Sequence, residues 1–121
     1  MSTLRSPILR LVRMQFRPEA LADFDALFTA YRDRIAAAPG CVAVTCLPDA
    51  AGSLARTTVS VWRSAEDLES YRQSPLFREV WSKTKTGFSA PPHAFSLVAE
   101  GMFFAAAAAY LGPPNDSTCW P

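Results

Sequence analysis

Apolar and polar residues alternate along four short segments of the chain, and they recur at helical spacing in the segments between. Alternation combined with β-branched and aromatic residues is typical of strands. In the first segment Val12 and Met14 fall on one face, whereas Arg13 and Gln15 fall on the other. One face of the sheet should therefore cover helices, and the other should line something partly polar. The predicted strands are 8–17, 41–47, 54–63 and 94–100.

The longest helical segment begins at Pro18 and is predicted to run to about Ala38. Apolar residues recur on one face of this segment at steps of three and four, as in an amphipathic helix. The Pro39-Gly40 pair that follows should stop the helix. We interpret the apolar stripe as core rather than as a cofactor-binding pattern. Its members are Leu21, Phe24, Leu27, Phe28, Tyr31 and Ile35.

Two short helices are predicted after the third strand. Ser64 stands three residues before Asp67, which is the spacing of a capping box. Ser74 is a second capping residue, and Pro75 fits the first position of a helix, where its missing N–H costs nothing. Gly87 is expected to end the second helix. One short helix thus runs into another across the Ser74-Pro75 pair.

The predicted order of elements is β-α-β-β-α-β, which indicates an α+β protein. With right-handed crossovers this order gives a ferredoxin-like fold, with an antiparallel sheet and all helices on one face. The other face carries Leu11, Arg13, Thr45 and similar residues, and it is too apolar to face water. A second copy of the chain, packed sheet to sheet, is the simplest cover, so we expect a homodimer.

Composition limits the class of protein. The chain has 121 residues, half of them hydrophobic, which suits one domain. A formal net charge of +1 argues against a nucleic-acid-binding protein, which needs a concentrated basic face. Residues 1–7 lack an apolar signal sequence, so a reduced, cytoplasmic protein is expected. Cys41 and Cys46 are five residues apart in a predicted strand, which should place them on opposite faces and prevent their pairing.

The last segment, residues 101–121, follows a predicted domain at 1–100. Its apolar run at 102–111 is far short of the roughly 20 residues needed to span a bilayer, so no membrane association is expected. The alanines in this run favour a helix, which Gly112-Pro113-Pro114 should stop. We expect an apolar C-terminal extension that docks on the dimer or across the mouth of its cleft.

The segment from the end of the third strand through both short helices resembles the antibiotic biosynthesis monooxygenase family. The resemblance covers about residues 8–100 and implies a dimeric α/β barrel. Polyketide-tailoring members of that family oxidise electron-rich phenols with dioxygen alone, so the resemblance implies an enzyme without a metal or nucleotide cofactor. The matching residues are Trp62, Ser64, Glu66-Asp67, Tyr71, Ser74-Pro75, Phe77 and Trp81, with Phe16 to Glu19 and Pro39 to Cys41 upstream.

Motifs of the common cofactor sites are missing from the sequence. One histidine, no Cys-x-x-Cys pair and no acidic cluster at ligand spacing argue against a metal site. No glycine-rich phosphate loop follows a strand, and no nucleophile elbow suggests a hydrolase. We therefore expect no metal and no other cofactor.

Haem degradation is another activity that the resemblance implies as possible for a member of this family. Haem-degrading members carry an asparagine on the first strand, a tryptophan in the helix after the third strand and an axial histidine on the next helix. By resemblance, the tryptophan position falls on Tyr71 and the histidine position on Trp81, and the first strand has no asparagine. The sequence therefore disfavours haem cleavage.

The candidate site residues each have a functional and a structural interpretation. His93 is the only histidine, the side chain best suited to accept a proton near neutral pH, whereas its structural interpretation, a surface residue on a loop, is the commoner one for a single histidine. Tyr71 and Trp81 could donate hydrogen bonds to a substrate or could simply be core. Arg13 could pair with an anionic substrate or form a salt bridge across the dimer. The predicted catalytic residues are His93, Trp81 and Tyr71, and the predicted substrate-binding residues are Arg13, Phe28, Phe77 and Phe95.

Three functions are compatible with the sequence. The first is cofactor-independent oxygenation of an aromatic or quinol-type molecule, bound in a pocket between helices and sheet. The second is a non-oxidative reaction on the same fold, such as that of a polyketide cyclase or an isomerase. The third is a binding module without catalysis. In each case the expected partners are a small aromatic molecule and a second copy of the chain.

Overall fold

The computed structural model describes residues 6–99 of the chain. The tail helix predicted within 101–121, and the boundary between that tail and the 1–100 domain, lie outside the described residues. In chain order the described elements are β1 (Ile8–Gln15), α1 (Pro18–Ala36), β2 (Cys41–Pro48), β3 (Ala55–Trp62), α2 (Ala65–Arg72), α3 (Pro75–Thr84), a 3-10 turn (Lys85–Gly87) and β4 (His93–Val98).

The strands form one antiparallel sheet in the order β2-β3-β1-β4. In the register of its centre, Val12 of β1 lies between Thr58 of β3 and Ala94 of β4. This order, with helices between β1 and β2 and between β3 and β4, confirms the predicted ferredoxin-like α+β fold. Strand ends differ from the prediction by one or two residues. For example, β1 stops early because Phe16 makes only an isolated bridge, with Phe88.

Both predicted serine caps are present. The Ser64 hydroxyl accepts a hydrogen bond from the backbone N–H of Asp67 at 3.1 Å, and the Ser74 hydroxyl accepts one from the N–H of Phe77 at 3.2 Å. Each bond satisfies an N–H that the first helical turn cannot pair. The end of α3 differs from the prediction, since the helix stops at Thr84 and tightens into the 3-10 turn that ends at Gly87.

The helices pack on one face of the sheet, where the largest hydrophobic cluster lies. Met14 and Phe16 come from β1 and its continuation, and Phe24, Phe28 and Ile35 come from α1. These five side chains are at most 6% exposed. The apolar stripe predicted on α1 is therefore core over these positions, as expected from its spacing.

A partly buried ion pair also ties α1 to the sheet. Arg56 of β3 is 8% exposed, and its Nε and Nη2 atoms each donate to one carboxylate oxygen of Asp25 at 3.2 Å. Its Nη1 donates to the backbone carbonyl oxygens of Ser53 and Ala55. The guanidinium is thus well satisfied, which is the condition for keeping a charge out of water.

The sequence-based placement of the cysteines is wrong. The register between β2 and β3 shifts between Cys41 and Ala43, so one extra residue separates Cys41 from the rest of the strand. Cys41 lies opposite Trp62, Cys46 lies opposite Thr58, and both thiols pack into the helix-facing core. Simple alternation could not reveal this because a bulge reverses the phase of the strand. No disulfide joins Cys41 to Cys46.

The other face of the sheet is apolar and partly exposed, although Val61 and Ala43 on this face are 0% and 1% exposed. Leu47 of β2 and Phe95 and Leu97 of β4 are 46%, 50% and 51% exposed. Strand alternation places all three on the face away from the helices. Among the described helices, none combines the length and the apolar character that crossing a membrane requires.

Gly40 and Gly52 provide a test of local packing, because both have positive φ angles, 82° and 79°. A Cβ atom at Gly40 would overlap the Asp67 side chain, whereas a Cβ atom at Gly52 would meet nothing within 4 Å. We expect Gly52→Ala to lower the free energy of unfolding by roughly 1–2 kcal/mol, the cost of left-handed backbone for an L-residue. Gly40→Ala should lower it further. Urea unfolding followed by circular dichroism measures both, and equal losses would contradict the steric explanation.

Candidate active site

A cavity of about 280 Å³ lies between the helices and the sheet. Its floor is the helix-facing side of β1 and β3, including Val12 and Thr58. Its walls include Phe28 from α1, Tyr71 from α2 and Trp81 from α3. A largely apolar cavity with a few polar groups is the usual form of a small-molecule site.

Aromatic rings in contact form the wall along α2 and α3. Tyr71 stacks on Trp62 with ring centroids 4.9 Å apart, and Phe77 meets Tyr71 edge-on at 5.3 Å. Trp81 then stacks on Phe77 at 5.9 Å with an angle of 11° between the planes. Because each ring fixes the next, the cavity presents a rigid aromatic surface.

The same line of rings continues under the cavity to α1. Trp81 contacts Phe88 at 5.6 Å, and Phe88 contacts Phe16 at 5.4 Å. Phe16 stacks on Phe24 at 4.5 Å, and Phe24 lies 6.2 Å from Phe28. Aromatic contacts therefore connect the three helices to the central strand, and the walls of the cavity are part of the core.

Two hydrogen-bond donors of the wall are available to a ligand. Neither the Tyr71 hydroxyl nor the Trp81 indole N–H has a hydrogen-bond partner among residues 6–99, and both side chains line the cavity. Trp62 differs, since its indole N–H donates to the Ser60 hydroxyl at 2.9 Å. An oxygen atom of a bound ligand could therefore accept from Tyr71 and Trp81, while Trp62 acts as packing.

Burial keeps the Tyr71 phenol protonated. Loss of solvent raises the pKa of Tyr71 well above its ordinary value, and the neighbouring Cys41 thiol raises it further. Burial likewise raises the pKa of Cys41 to about 11. At neutral pH both groups are neutral, so Tyr71 can act as a donor and Cys41 is a poor nucleophile.

Four of the seven predicted site residues line this cavity, and three do not. Tyr71, Trp81, Phe77 and Phe28 are in its walls. Arg13, His93 and Phe95 have side chains on the opposite face of the sheet, where Arg13 is paired with His93 in the β1–β4 register and Phe95 is half exposed. The prediction that Arg13 and His93 supply the polar groups of the helix-side pocket is wrong, because residue 13 has the opposite strand parity to Val12 and Met14. Arg13, His93 and Phe95 lie on the face of the sheet away from the helices.

Arg13 already has a partner in the chain. Its Nη2 atom donates to a carboxylate oxygen of Asp49 in the β2–β3 loop at 2.6 Å. Both side chains are about two-fifths exposed, 41% and 39%, so the pair contributes little to stability. His93 is exposed as well. Their predicted roles in substrate binding and catalysis stay predictions.

Sequence analysis missed two charged residues of the cavity, Arg10 and Arg72. Arg10 could have been found, because the parity that groups Val12 with Met14 also includes residue 10. Arg72 is the last residue of α2 and follows the cavity-lining Leu68 by four residues, so helical spacing places it on the same face.

A second cavity, of about 340 Å³, lies where α1 begins beside the 3-10 turn. It carries charged side chains that are already engaged, since Arg17 donates to Glu19 and to the carbonyl oxygen of Thr86, each at 2.8 Å. The aromatic cavity is the better candidate site because its donors are unused. Within residues 6–99 no three histidine, cysteine or acidic side chains cluster as metal ligands would.

Comparison with models of protein families shows the family of this chain. Residues 7–82, more than half of the chain, match the family model described as antibiotic biosynthesis monooxygenase. The chain belongs to the antibiotic biosynthesis monooxygenase family. The matched range contains both capped helices and the wall residues Tyr71, Phe77 and Trp81, so the resemblance seen in the sequence is confirmed. No curated protein sequence matches the chain significantly.

Solved structures share the fold at low sequence identity. A Mycobacterium tuberculosis protein is 23% identical, and the match covers 79% of this chain and 97% of that protein with a TM-score of 0.72. A Caulobacter crescentus protein named for the same monooxygenase family is 15% identical, with 81% and 93% covered and a TM-score of 0.74. A Bordetella bronchiseptica protein named in the same way is 23% identical, with 79% and 99% covered and a TM-score of 0.69. These likenesses show the fold of the family.

The raised pKa of Tyr71 predicts a pH-dependent stability. Above the ordinary tyrosine pKa of about 10, the unfolded chain loses this proton while the folded chain keeps it. The free energy of unfolding should therefore fall as the pH rises. Tyr71→Phe should flatten this fall above about pH 10 by up to about 1.4 kcal/mol per pH unit.

The control for this prediction is Phe77→Leu, which alters the ring that contacts Tyr71 but removes no titratable group. Urea midpoints of the wild type and both variants, taken at a series of alkaline pH values, give the slopes. A wild-type slope in Tyr71→Phe would contradict the assignment.

Proposed function

We propose that this family member oxygenates a small phenol or quinol with dioxygen, inside the aromatic cavity of each subunit, without a metal or organic cofactor. The observation that carries the proposal is the presence of two unused donors, the Tyr71 hydroxyl and the Trp81 indole N–H, in one aromatic-walled cavity. Membership of the antibiotic biosynthesis monooxygenase family supports the reaction class.

The overall reaction is balanced by the substrate and dioxygen alone. A phenol with a hydrogen on the ring carbon opposite its hydroxyl first loses the hydroxyl proton. That ring carbon then forms a bond to dioxygen, and protonation of the terminal oxygen gives a hydroperoxide. Loss of the ring proton and cleavage of the O–O bond release water and leave a quinone. The four electrons that reduce dioxygen come from the substrate.

The protein's part is to favour the substrate anion and to exclude water. Hydrogen bonds from Tyr71 and Trp81 to the phenolate oxygen would lower the substrate's pKa, because they stabilise its charged form. Tyr71 suits this role since its own proton is firmly held. The aromatic walls orient the flat ring and keep the reacting carbon away from solvent.

Oxygen uptake tests the proposal. Purified protein without added cofactor should consume dioxygen with anthrols or naphthols that carry a hydrogen opposite the hydroxyl, at a rate above their autoxidation. Tyr71→Phe and Trp81→Phe should each lower kcat/KM by about tenfold or more, because each removes a hydrogen bond to a charged oxygen. The matched control is Tyr31→Phe, which removes a hydroxyl bonded to Glu79 away from the cavity and should keep wild-type uptake.

Other outcomes would assign another function. Turnover of such a compound without dioxygen would contradict oxygenation and favour a cyclase or isomerase. Binding in the cavity without any turnover would favour a binding module. Uptake that both cavity variants retain would remove Tyr71 and Trp81 from the mechanism.

The partner in this proposal is a second copy of the chain, packed on the face of the sheet away from the helices. Support comes from the apolar side chains of that face, with Leu47, Phe95 and Leu97 each about half exposed in the single chain. Arg13 and His93 share this face and would lie in the interface. Any role of theirs would then depend on the dimer.

Substitutions at two neighbouring residues of β4 test which face of the sheet forms the dimer. Leu97→Asp should shift the protein from dimer to monomer in sedimentation velocity at micromolar concentration, because it places a charge in the apolar interface. Val98→Asp should leave the dimer intact, since Val98 is equally accessible, at 62% exposed, but its side chain is on the opposite face. A monomeric wild type, or dissociation by both substitutions alike, would contradict the sheet-to-sheet dimer.

A further inference from the structure

The floor of the aromatic cavity changes from apolar to cationic along β1. Val12 lies between Thr58 and Ala94, whereas two residues earlier Arg10 lies between Ser60 and Ser96. Arg10 lines the cavity, and its Nη1 atom donates to the Ser96 hydroxyl at 3.1 Å. One end of a largely apolar chamber thus carries a guanidinium.

A second guanidinium lines the same cavity. Arg72, at the end of α2, donates from Nη1 to a carboxylate oxygen of Glu69 at 2.9 Å. The other Glu69 oxygen accepts from the Gln73 side-chain amide at 2.7 Å. Arg10 has no ion-pair partner within residues 6–99, so two positive groups face one carboxylate whose oxygens are already engaged.

The charge of Arg72 acts on Arg10. The pKa of Arg10 is lowered, first by burial and then by the positive charge of Arg72, while Glu69 opposes this only in part. Arg10 is still charged at neutral pH because guanidinium groups lose their proton only under strongly alkaline conditions. The shift means that the charge of Arg10 is partly desolvated and not fully compensated, a state that an anion would relieve.

We propose that Arg10 and Arg72 bind the carboxylate of an aromatic ligand whose ring lies against Tyr71 and Trp81. A guanidinium presents paired N–H donors that match the two oxygens of a carboxylate. The inference deepens the proposed function and rests on it. The substrate class becomes a phenol that carries a carboxylate group, held by the arginines at one end and by the two neutral donors at its hydroxyl.

Affinity for a matched pair of probes tests this inference. The probes are 2-naphthoate and 2-naphthamide, which share the ring system and differ in charge. We expect the wild-type protein to bind the acid about tenfold more tightly than the amide at low ionic strength, as charge-assisted bonds in a partly buried site require. Added salt should reduce the difference in affinity between the acid and the amide. Isothermal titration calorimetry measures both affinities.

Substitution of the arginines locates the effect. Arg10→Gln and Arg72→Gln should each weaken binding of the acid about tenfold and leave binding of the amide within about twofold. The control, Arg78→Gln, replaces an exposed arginine of α3 that lines neither cavity, and it should keep the wild-type ratio. Near-UV circular dichroism checks that each variant is folded, and unchanged binding of the amide provides a second check.

The possible failures are distinguishable. Equal affinity for acid and amide, or a preference that survives both arginine substitutions, would overturn the carboxylate site and leave the aromatic cavity of the proposed function in place. Failure of both probes to bind would also overturn it, and oxygen uptake with uncharged phenols would then decide whether the proposed function survives.

Discussion

Contact between aromatic rings is the interaction on which this structure depends. The line of rings begins at Trp62 on β3, passes through Tyr71 on α2 and Trp81 on α3, and reaches Phe16 after β1 and Phe24 on α1. It therefore joins every described helix to the sheet. Because neighbouring rings prefer offset or edge-on geometry, each contact limits the orientation of the next. The cavity is the space these rings leave, so its shape and the stability of the fold have the same cause.

The aromatic side chains of the cavity are of two kinds: some only pack, and others also offer a hydrogen-bond donor. Trp62 also lines the cavity, but it is 1% exposed and its indole N–H donates to the Ser60 hydroxyl, so it contributes packing only. Tyr71 and Trp81 also have large apolar rings, but their hydrogen-bond donors are available to the cavity. Arg10 and Arg72 add positive charge at one end, while the rest of the chamber stays largely apolar. A flat, oxygenated and negatively charged molecule complements all three features.

Much of the fold could be predicted from the sequence, because local signals there are strong. Ser64 and Ser74 cap helices where capping preferences place them, and the α1 stripe is buried as its period indicates. The site was predicted less completely. Tyr71 and Trp81 were found through family resemblance, whereas His93 and Arg13 were chosen for their chemistry and lie on the other sheet face. Residue type identifies what a side chain can do, but only its position decides which cavity it reaches.

The sequence by itself determined the order of elements, the helix starts and the family, since these depend on local propensity, spacing and the residue types at particular positions. Tertiary structure decided which faces of these elements enclose one cavity and left Arg13 and His93 outside it. The bulge after Cys41 reverses the faces of β2, and the packing of α2 on the sheet brings Arg72 to the cavity that Arg10 lines. Both effects act between segments distant in the chain. They arise from the requirement that strands pair in one register and helices bury one face, which no local stretch of sequence specifies.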